Sequence, residues 1–290
     1  MAKASPTQAW LWHRRLSYLN FDTINLLSKK DIMNGLPKLK YVKDQLCSSC
    51  ELGKAKRSTF KTNIVLSSKG WFNLLHMDLC GLMRIESINE KIHIVTLHTY
   101  FKEEGIEHQT STPRTLEHNG VVERQNRTLV EAVRTMLLAS KLPLFFWAEA
   151  IETACYTQNR SLIIPIYKKT PYHIINNRKP SIKHLHIFCC TCYITRDGEN
   201  LDKMKEKWDP CIFVGYSTQL KGYRVYNKRT KLIVESIDIN FDEIKELSKA
   251  SDYDNSSPVP QLQKTSDHNS LELGIQDHIN EHSSSCVLVI

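Results

Sequence analysis

The sequence predicts a protein of the α+β class, in which helical and strand-rich segments follow one another along the chain. Three observations support this prediction: a basic helical front segment ends in a C-x2-C cysteine pair, strand-length apolar runs precede two strongly periodic helices, and residues 185–243 carry a series of short strand-like stretches. Hydrophobic residues make up 41% of the 290-residue chain, which fits a folded globular protein.

The front segment is the basic end of the chain. Residues 1–61 hold 12 lysines and arginines against 4 acidic residues, whereas residues 242–290 hold 9 acidic residues against 3 lysines. A basic segment attracts polyanions, so nucleic acid is the predicted partner, although a merely solvated surface would have the same composition.

The middle of the chain combines strand-like runs with two helices. Residues 73–79, 91–97 and 105–111 suit strands by length and β-propensity. A helix is predicted over residues 119–140, and Pro143, a good first-turn residue, is predicted to begin the next one. The first helix has an apolar stripe of Val122, Leu129, Val133, Met136 and Leu137, and the second has a buried face of Trp147, Ile151 and Ala154.

The end of the chain has a different composition. Residues 248–290 are rich in Ser, Asp and Asn and poor in apolar residues, and we predict a disordered tail there. No apolar run approaches the roughly 18 residues that a membrane span requires, and the first residues lack the apolar core of a signal peptide. We therefore expect a protein of the nucleus or cytoplasm with no membrane partner.

Cys47 and Cys50 form the C-x2-C pair, whose turn directs two thiolates toward one Zn²⁺ ion. His13, upstream on a predicted helix, is a candidate third ligand. The residue about one helical turn further on is Tyr18, and a phenol is a poor zinc ligand. The alternative is that His13 lies on a helix surface and that both cysteines are reduced thiols. An odd total of nine cysteines favours either interpretation over a disulfide framework.

Two carboxylates are candidates for magnesium. Asp78 lies in an apolar strand-like run, where a charge costs free energy unless it is paired or bound to a metal. Glu123 lies in the first turn of the long helix, and strand and helix together could bring both carboxylates to one Mg²⁺ ion. The alternatives are that Asp78 lies at a strand end and that Glu123 favours the helix dipole.

The remaining cysteines and aromatic residues permit two interpretations. Cys189, Cys190 and Cys192 favour buried thiols over a metal site, because adjacent strand residues point to opposite faces. Tyrosines mixed with cations could form a DNA-facing edge or could pack across strands of a small barrel. The residues of this group are Tyr216, Tyr223 and Tyr226 with Lys221, Arg224, Lys228 and Arg229.

Several longer stretches carry a family resemblance. LWHRRLSYLNFDTINLL with LCSSCELGKAKRS resembles the pre-integrase zinc segment of copia-type retrotransposon Pol polyproteins. LLHMDLCG and GIEHQTSTPRTLEHNGVVERQNRTLVEAVRTML resemble parts of their integrase core, and CYITRDGENLDKMKEKWDPCIFVGYSTQLKGYRVYNKRTKLIVESIDINFDE is similar to the SH3-like module that follows. The resemblance implies a polyprotein fragment with a GAG-pre-integrase zinc-type domain at 8–62, an RNase H-like integrase core at 70–165 and an SH3-like β domain at 185–243.

The resemblance also implies an activity. Integrases of this family join cDNA ends to target DNA with an Asp, Asp, Glu triad and Mg²⁺. Asp78 then stands as the first carboxylate and Glu123 as the third, while Arg127, Arg124 and Asn119 are expected to contact DNA. Integrases usually act as multimers, so a homo-oligomer is expected as well.

The chain departs from the family in two ways. Tyr18 stands where the family has the second zinc histidine, which should weaken zinc binding. The part of the core that carries the second Asp is absent between the strand at 91–97 and residue 105, so the core is truncated. Three hypotheses follow: an inactive integrase that still binds nucleic acid, an active polynucleotidyl transferase that uses a substitute acid such as Asp238, or a non-enzymatic interaction module.

Overall fold

The computed structural model describes residues 2–54, 77–80, 102, 120–165, 167–195, 208–217, 222–243 and 286–289. Its helices are α1 (Pro6–Arg15), α2 (Phe21–Lys30), α3 (Ser48–Gly53), α4 (Gly120–Ser140), α5 (Trp147–Ser161) and α6 (Pro171–Asn176). Its strands are β1 (Met77–Cys80), β2 (Thr191–Thr195), β3 (Trp208–Tyr216), β4 (Tyr223–Asn227), β5 (Ile233–Ser236), β6 (Ile239–Asp242) and β7 (Cys286–Val289).

The first helix begins with a complete capping box. The Ser5 hydroxyl accepts a hydrogen bond from the Gln8 backbone N–H, the Gln8 side chain accepts from the Ser5 N–H, and Pro6 occupies the first turn. These contacts satisfy backbone donors that a helix start otherwise leaves without partners. The start of α1 is therefore encoded locally.

Helix α4 follows the predicted apolar stripe. Leu129, Val133, Met136 and Leu137 are buried, as the periodicity predicted, while the side chain of Val122 lies outside the described residues. A short 3-10 turn at Leu144–Phe146 then leads into α5, so the second helix begins four residues later than Pro143 predicted.

Strands β2 to β6 form one antiparallel sheet in the order β5-β4-β3-β2-β6. Strands β5 and β6 lie at opposite edges, yet only Ile237 and Asp238 separate them along the chain. Three residue steps span at most about 10 Å, so the two edges must come close together. The sheet is therefore strongly curled into a small barrel-like unit.

The front helices share their core with this sheet. Buried residues of α1 and α2, such as Ala9, Trp12 and Ile24, belong to the same apolar cluster as Phe213 and Val225 of the sheet. The opposite face of β3 packs against α4 and α5, where Val133, Phe146 and Val214 belong to a second cluster. The sheet thus lies between the front segment and the long helices.

An ion-paired carboxylate ties the first helix to the end of the sheet. Glu243, which directly follows β6, accepts hydrogen bonds from the Arg15 guanidinium of α1 and from the Ile187 backbone N–H. Its side chain is 11% exposed, and His186 Nδ1 lies 3.3 Å from it. A largely buried ion pair between Arg15 and Glu243 therefore holds together two segments that are more than 200 residues apart in the chain.

Two further strands pair with each other. Strand β1 pairs antiparallel with β7, so that Asp78 lies opposite Leu288. Strand β7 lies inside the segment predicted to be disordered, so that prediction fails for Cys286–Val289 because an antiparallel partner supplies their backbone hydrogen bonds. The rest of that tail and the predicted strands at 91–97 and 105–111 lie outside the described residues.

The observed architecture is a mixture of helices and antiparallel sheet. None of the helices in the described part of the chain is long and apolar enough to cross a membrane.

Candidate functional site

His13 is fixed in one orientation inside α1. The residue is buried, and its ring stacks on Phe21 with a centroid distance of 4.9 Å. Nδ1 lies 2.8 Å from the carbonyl oxygen of Leu19. A carbonyl only accepts, so Nδ1 carries the proton and donates, which leaves Nε2 to face the cysteines. This arrangement is typical of a metal-binding histidine.

Cys47 and Cys50 meet His13 at the start of α3. Cys47 is the residue before the first turn of this helix, and Cys50 lies within it. His13 Nε2 lies 3.4 Å from the Cys50 sulfur, and all three donor atoms lie within 4.8 Å of one another. The structure therefore brings together the three residues that the sequence singled out. Hydrogen bonding from Cys50 lowers the pKa of the Cys47 thiol, and the same contact raises the pKa of Cys50.

Tyr18 packs against His13, one of the three donors of this group. Its ring packs edge-on against His13 with centroids 5.3 Å apart, and the residue is buried. Burial is the main reason why the pKa of its phenol is raised, and the nearby Cys47 and Cys50 raise it further. A phenol that stays protonated is a poor ligand for zinc. Tyr18 also has a left-handed backbone with φ of 60°, which is rare for a bulky residue.

The cysteine helix packs directly on α4. A Cβ atom on Gly53 would lie 2.4 Å from Thr135 Oγ1 and 2.8 Å from Thr135 Cα, so only glycine permits this approach. The next residue, Lys54, donates a 2.6 Å hydrogen bond to the Tyr18 carbonyl. Sequence reasoning missed Gly53, Thr135 and Lys54, because no local pattern indicates which distant helix α3 will contact.

The donor set fits a zinc ion in part. Zn–S bonds of about 2.3 Å and Zn–N bonds of about 2.0 Å give a nitrogen–sulfur edge of roughly 3.5 Å in a tetrahedron. The observed 3.4 Å between His13 Nε2 and Cys50 Sγ agrees with that edge. The described residues supply three donors where a structural site uses four, so they fit zinc as a three-ligand site.

For the two candidate catalytic carboxylates, Asp78 and Glu123, the structure describes the backbone but not the side chains. Asp78 lies on β1 and Glu123 lies on the first turns of α4, and these two elements contact each other. Their side chains, and Asn119 as a whole, lie outside the described residues. Arg124 and Arg127 are described and exposed on α4, and their contact with DNA stays a prediction.

The predicted tyrosine-rich edge is a packed interior. Tyr216 is buried and stacks on Tyr156 at 4.1 Å, and Phe146 packs edge-on against Tyr226. Two of the cations of this group are engaged in ion pairs, while Lys228 is exposed. Arg224 pairs with Glu152 and lies 3.8 Å from Glu149, while Arg229 pairs with Asp209 at 2.8 Å. The packing interpretation is therefore correct for these residues, while Lys221 lies outside the described part.

The later cysteines also behave as core residues. Cys190, Cys192 and Cys211 are buried, and burial raises the pKa of Cys192 to about 12 and that of Cys211 to about 11. Cys189 is half-buried in a turn and lies close enough to Tyr18 to raise the pKa of its phenol.

Comparison with known families identifies two domains in the chain. The GAG-pre-integrase domain model matches residues 1–55, and the retroviral polymerase SH3-like domain model matches residues 190–256. The chain therefore contains a GAG-pre-integrase domain, which includes His13, Cys47 and Cys50, and an SH3-like domain formed by the curled sheet.

Individual relatives carry retrotransposon names. The chain is 30% identical to the Retrovirus-related Pol polyprotein from transposon TNT 1-94 of Nicotiana tabacum over 302 aligned positions, which cover 83% of this chain. It is 34% identical over 149 positions to the polyprotein from transposon RE1 of Arabidopsis thaliana, which cover 51% of this chain. A match over 75 positions, at 40% identity and covering 26% of this chain, is found with the Ty1-DR6 Gag-Pol polyprotein of Saccharomyces cerevisiae.

The homologues of this chain are thus copia-type retrotransposon Pol polyproteins, and the chain corresponds to their integrase region. It spans 22% of the tobacco polyprotein, 10% of the Arabidopsis protein and 4% of the yeast protein. In the tobacco alignment, 83% of 290 residues is about 241 residues against 302 aligned positions, so about 60 positions have no counterpart here.

Proposed function

We propose that this protein is a copia-type integrase derivative that binds nucleic acid and does not catalyse strand transfer. The observation that carries the proposal is in the sequence: no aspartate occurs between Asp78 and Asp197. The integrase triad requires its second Asp between the first carboxylate and Glu123. The stretch of about 60 alignment positions without a counterpart in this chain supports a deletion that removed this residue.

The missing carboxylate matters because of how two metal ions act on a phosphodiester. The ions stabilise charge on the attacking and leaving oxygens, and carboxylates hold them about 4 Å apart. Asp78 and Glu123 could together hold one Mg²⁺ ion, whose ligands lie at about 2.1 Å. One ion cannot contact both oxygens of the displacement, so loss of activity is expected, not merely slower turnover.

The alternative hypothesis of an active enzyme requires another acidic residue to replace the second Asp of the triad. Asp238, the candidate from the sequence, lies in the link between β5 and β6 of the sheet. Four other described acids are paired with cations: Asp209 with Arg229, Glu243 with Arg15, Glu152 with Arg224 and Asp31 with Lys179. Breaking such a pair to build a metal site costs free energy, which favours the inactive hypothesis.

Zinc would be held by His13, Cys47 and Cys50 in this proposal. When bound there, the ion would supply folding energy, because it joins α1 to the start of α3. With Tyr18 in the fourth position, we expect weaker binding than a four-ligand site provides.

Nucleic-acid binding is proposed from charge and exposure. Arg124 and Arg127 are exposed on α4 beside Glu123, and the front segment is strongly basic. Cations of this kind bind phosphates without dependence on base sequence. A nuclear or cytoplasmic location follows from the same proposal, since DNA is the expected partner, and a multimer is expected by analogy with integrases.

The test is a strand-transfer assay with the full chain. Purified protein is incubated with a labelled DNA end, plasmid DNA and Mg²⁺ or Mn²⁺, alongside the variants Asp78→Asn and Glu123→Gln. We expect no joined product from any of the three. Joining by the parent chain that both substitutions abolish would contradict the proposal, and it would direct attention to a third acid.

A non-enzymatic interaction module is the second candidate function. The shared core of the front helices and the SH3-like sheet favours it, because this core does not require the truncated part of the integrase. Steep loss of DNA affinity with added salt would distinguish a nucleic-acid partner from a protein partner.

A further inference from the structure

One long segment of the chain has no acidic residue. Residues 153–196 contain no Asp or Glu but hold seven lysines and arginines. The chain has 31 acidic residues in 290, so an even distribution would place about five in a stretch of this length. The segment runs from α5 through α6 to β2, and its charge is not explained by the carboxylate pair or by the His–Cys group.

The fold gathers these cations around α6. Arg178, Lys179 and Lys183 are exposed just after this helix. Lys169 directly precedes Thr170, whose hydroxyl accepts a hydrogen bond from the His173 N–H at the start of α6, so cations flank both ends of this six-residue helix. The cations therefore form one surface instead of being scattered.

The basic front segment extends the same surface. The Asn34 N–H donates to the Pro180 carbonyl at 2.8 Å, and the Ile182 N–H donates to the Asn34 carbonyl at 2.9 Å. Beside this junction, Asp31 accepts from Lys179 at 2.9 Å and lies 3.6 Å from Lys38. One carboxylate thus faces two cations, and the surface keeps a positive excess.

A stacked arginine lies on the inner side of this surface. The guanidinium carbon of Arg160 lies 3.4 Å from the ring centroid of Tyr156 and 4.5 Å from that of Tyr172. Its Nη1 donates to the Tyr156 carbonyl, and no carboxylate in the described part of the chain pairs with it. Arg178 lies over Tyr172 at 6.0 Å. The two tyrosines hold planar cations in place and leave N–H groups for an anion.

We infer that this α6 surface, formed by Lys38, Arg160, Lys169, Arg178, Lys179 and Lys183, binds the sugar–phosphate backbone of nucleic acid. It is separate in the chain from the α4 arginines beside Glu123. The inference rests on the proposed nucleic-acid binding and assigns a second place where it occurs.

The chemistry favours a phosphate backbone over other anions. The cations come from three separate segments and spread over a surface, which suits an extended polyanion with regularly spaced charges. Guanidinium groups held on tyrosine faces pair with phosphate through two N–H groups, and nothing in this arrangement selects a base sequence. Binding that is independent of sequence and sensitive to salt is therefore expected.

The experiment measures fluorescence anisotropy of a labelled 30-base-pair duplex, and of a single strand of the same length, with the full chain at several salt concentrations. The test variant is Arg178→Gln/Lys183→Gln, which removes two exposed charges and keeps long side chains. The matched control is Lys228→Gln/Lys231→Gln, two exposed cations at the β4–β5 turn. A third variant, Arg124→Gln/Arg127→Gln, reports on the α4 site. Circular dichroism melting confirms that each variant folds.

We expect the α6 variant to lose about tenfold in affinity at low salt and about two units of the log–log salt slope, since each phosphate contact contributes about 0.9. The control should stay within twofold of the parent chain. Unchanged binding by the α6 variant, with loss in the α4 variant, would overturn this inference and leave the proposed function intact. Absence of binding by the parent chain at 50 mM salt would overturn both. Binding of anionic vesicles or poly-glutamate in preference to both nucleic acids would also overturn it.

Discussion

His13 Nε2 lies 3.4 Å from the sulfur of Cys50, although 37 residues separate them in the chain. The contact depends on two features of α1 and its end: the ring is fixed by its bond to the Leu19 carbonyl, and Tyr18 packs against it from the side. Contacts with the Leu19 carbonyl and with Tyr18 thus fix the His13 ring in an orientation in which Nε2 faces the two cysteines.

Tyr18→His should convert the three-donor group into a four-ligand zinc site. The ring at position 18 already lies against His13, and histidine tolerates the left-handed backbone better than tyrosine does. We expect zinc affinity to rise at least tenfold, which corresponds to about 1.4 kcal/mol of added stability at saturating zinc. Competition with a chromogenic chelator measures the affinity, and thermal melts with and without zinc measure the stability.

Tyr18→Phe is the control for this prediction, because it keeps the ring and removes the hydroxyl. It should leave zinc affinity within about threefold of the parent chain. Equal gains in both variants would show that relief of a buried hydroxyl, not a new ligand, is responsible.

Gly53→Ala should destabilise the contact between α3 and α4. The added methyl group would lie within 3 Å of three Thr135 atoms, two of which belong to the backbone, so one helix must move. Overpacking of this kind costs about 1–3 kcal/mol. Chemical denaturation measures the loss, and zinc affinity should fall with it because Cys50 lies on the same helix.

Ser48→Ala on α3 provides the comparison for Gly53→Ala. Ser48 is exposed, so its substitution should change the free energy of unfolding by less than about 0.5 kcal/mol. A similar loss in both variants would indicate that α3 itself is fragile and that the Thr135 contact is not decisive.

Glu243→Gln should destabilise the protein at neutral pH. The parent chain has extra stability there from the ionised Glu243 carboxylate, and it loses this stability as the pH falls. Burial opposes ionisation of this carboxyl, but the adjacent His186 ring and the hydrogen bonds from Arg15 and the Ile187 N–H outweigh it and lower its pKa to about 2. Because the folded-state pKa lies below the ordinary value of 4.5, the stabilisation is present above pH 4.5 and is lost as pH falls toward 2. The carboxylate contributes up to about 3 kcal/mol at neutral pH.

Urea unfolding at several pH values between 7 and 3 tests this prediction. The difference between Glu243→Gln and the parent chain should be largest at pH 7 and should shrink toward pH 3. Asp31→Asn, at an exposed ion pair, serves as the control and should have little effect. A difference that is constant with pH would contradict an electrostatic origin.

Arg224→Met should destabilise the junction of α5 and β4. Arg224 pairs with Glu152 and faces Glu149, whose carboxyl is 2% exposed. Burial raises the pKa of Glu149, and Arg224 opposes that rise. Loss of the arginine leaves a buried carboxyl without its cation, which costs about 3–5 kcal/mol.

Thermal melts of Arg224→Met and of the double variant Arg224→Met/Glu149→Gln check this expectation. The double variant should recover a substantial part of the loss, because it removes the orphaned charge. Additive losses in the double variant would show that Arg224 acts through packing of its alkyl chain instead.

Local patterns in the sequence predicted the two long helices α4 and α5 and the candidate ligands. The apolar stripe of α4 predicted which side chains are buried, and the C-x2-C pair with an upstream histidine predicted the group that the fold assembles. The tyrosine at position 18 and the absence of an aspartate between Asp78 and Glu123 are also visible from the sequence, because they concern residue identity alone. The helix stripe depends on neighbours within a few turns, and the ligands depend on residue type and spacing.

Only the tertiary structure decided how the distant parts meet. The two interpretations of the tyrosine-rich segment had the same sequence pattern, and the stack of Tyr156 on Tyr216 shows which is correct. The fit of Gly53 on Thr135 and the Arg15–Glu243 pair depend on the path of the chain between elements. Hydrophobic burial is not directional, so a sequence shows which faces are apolar but not which partner covers each of them.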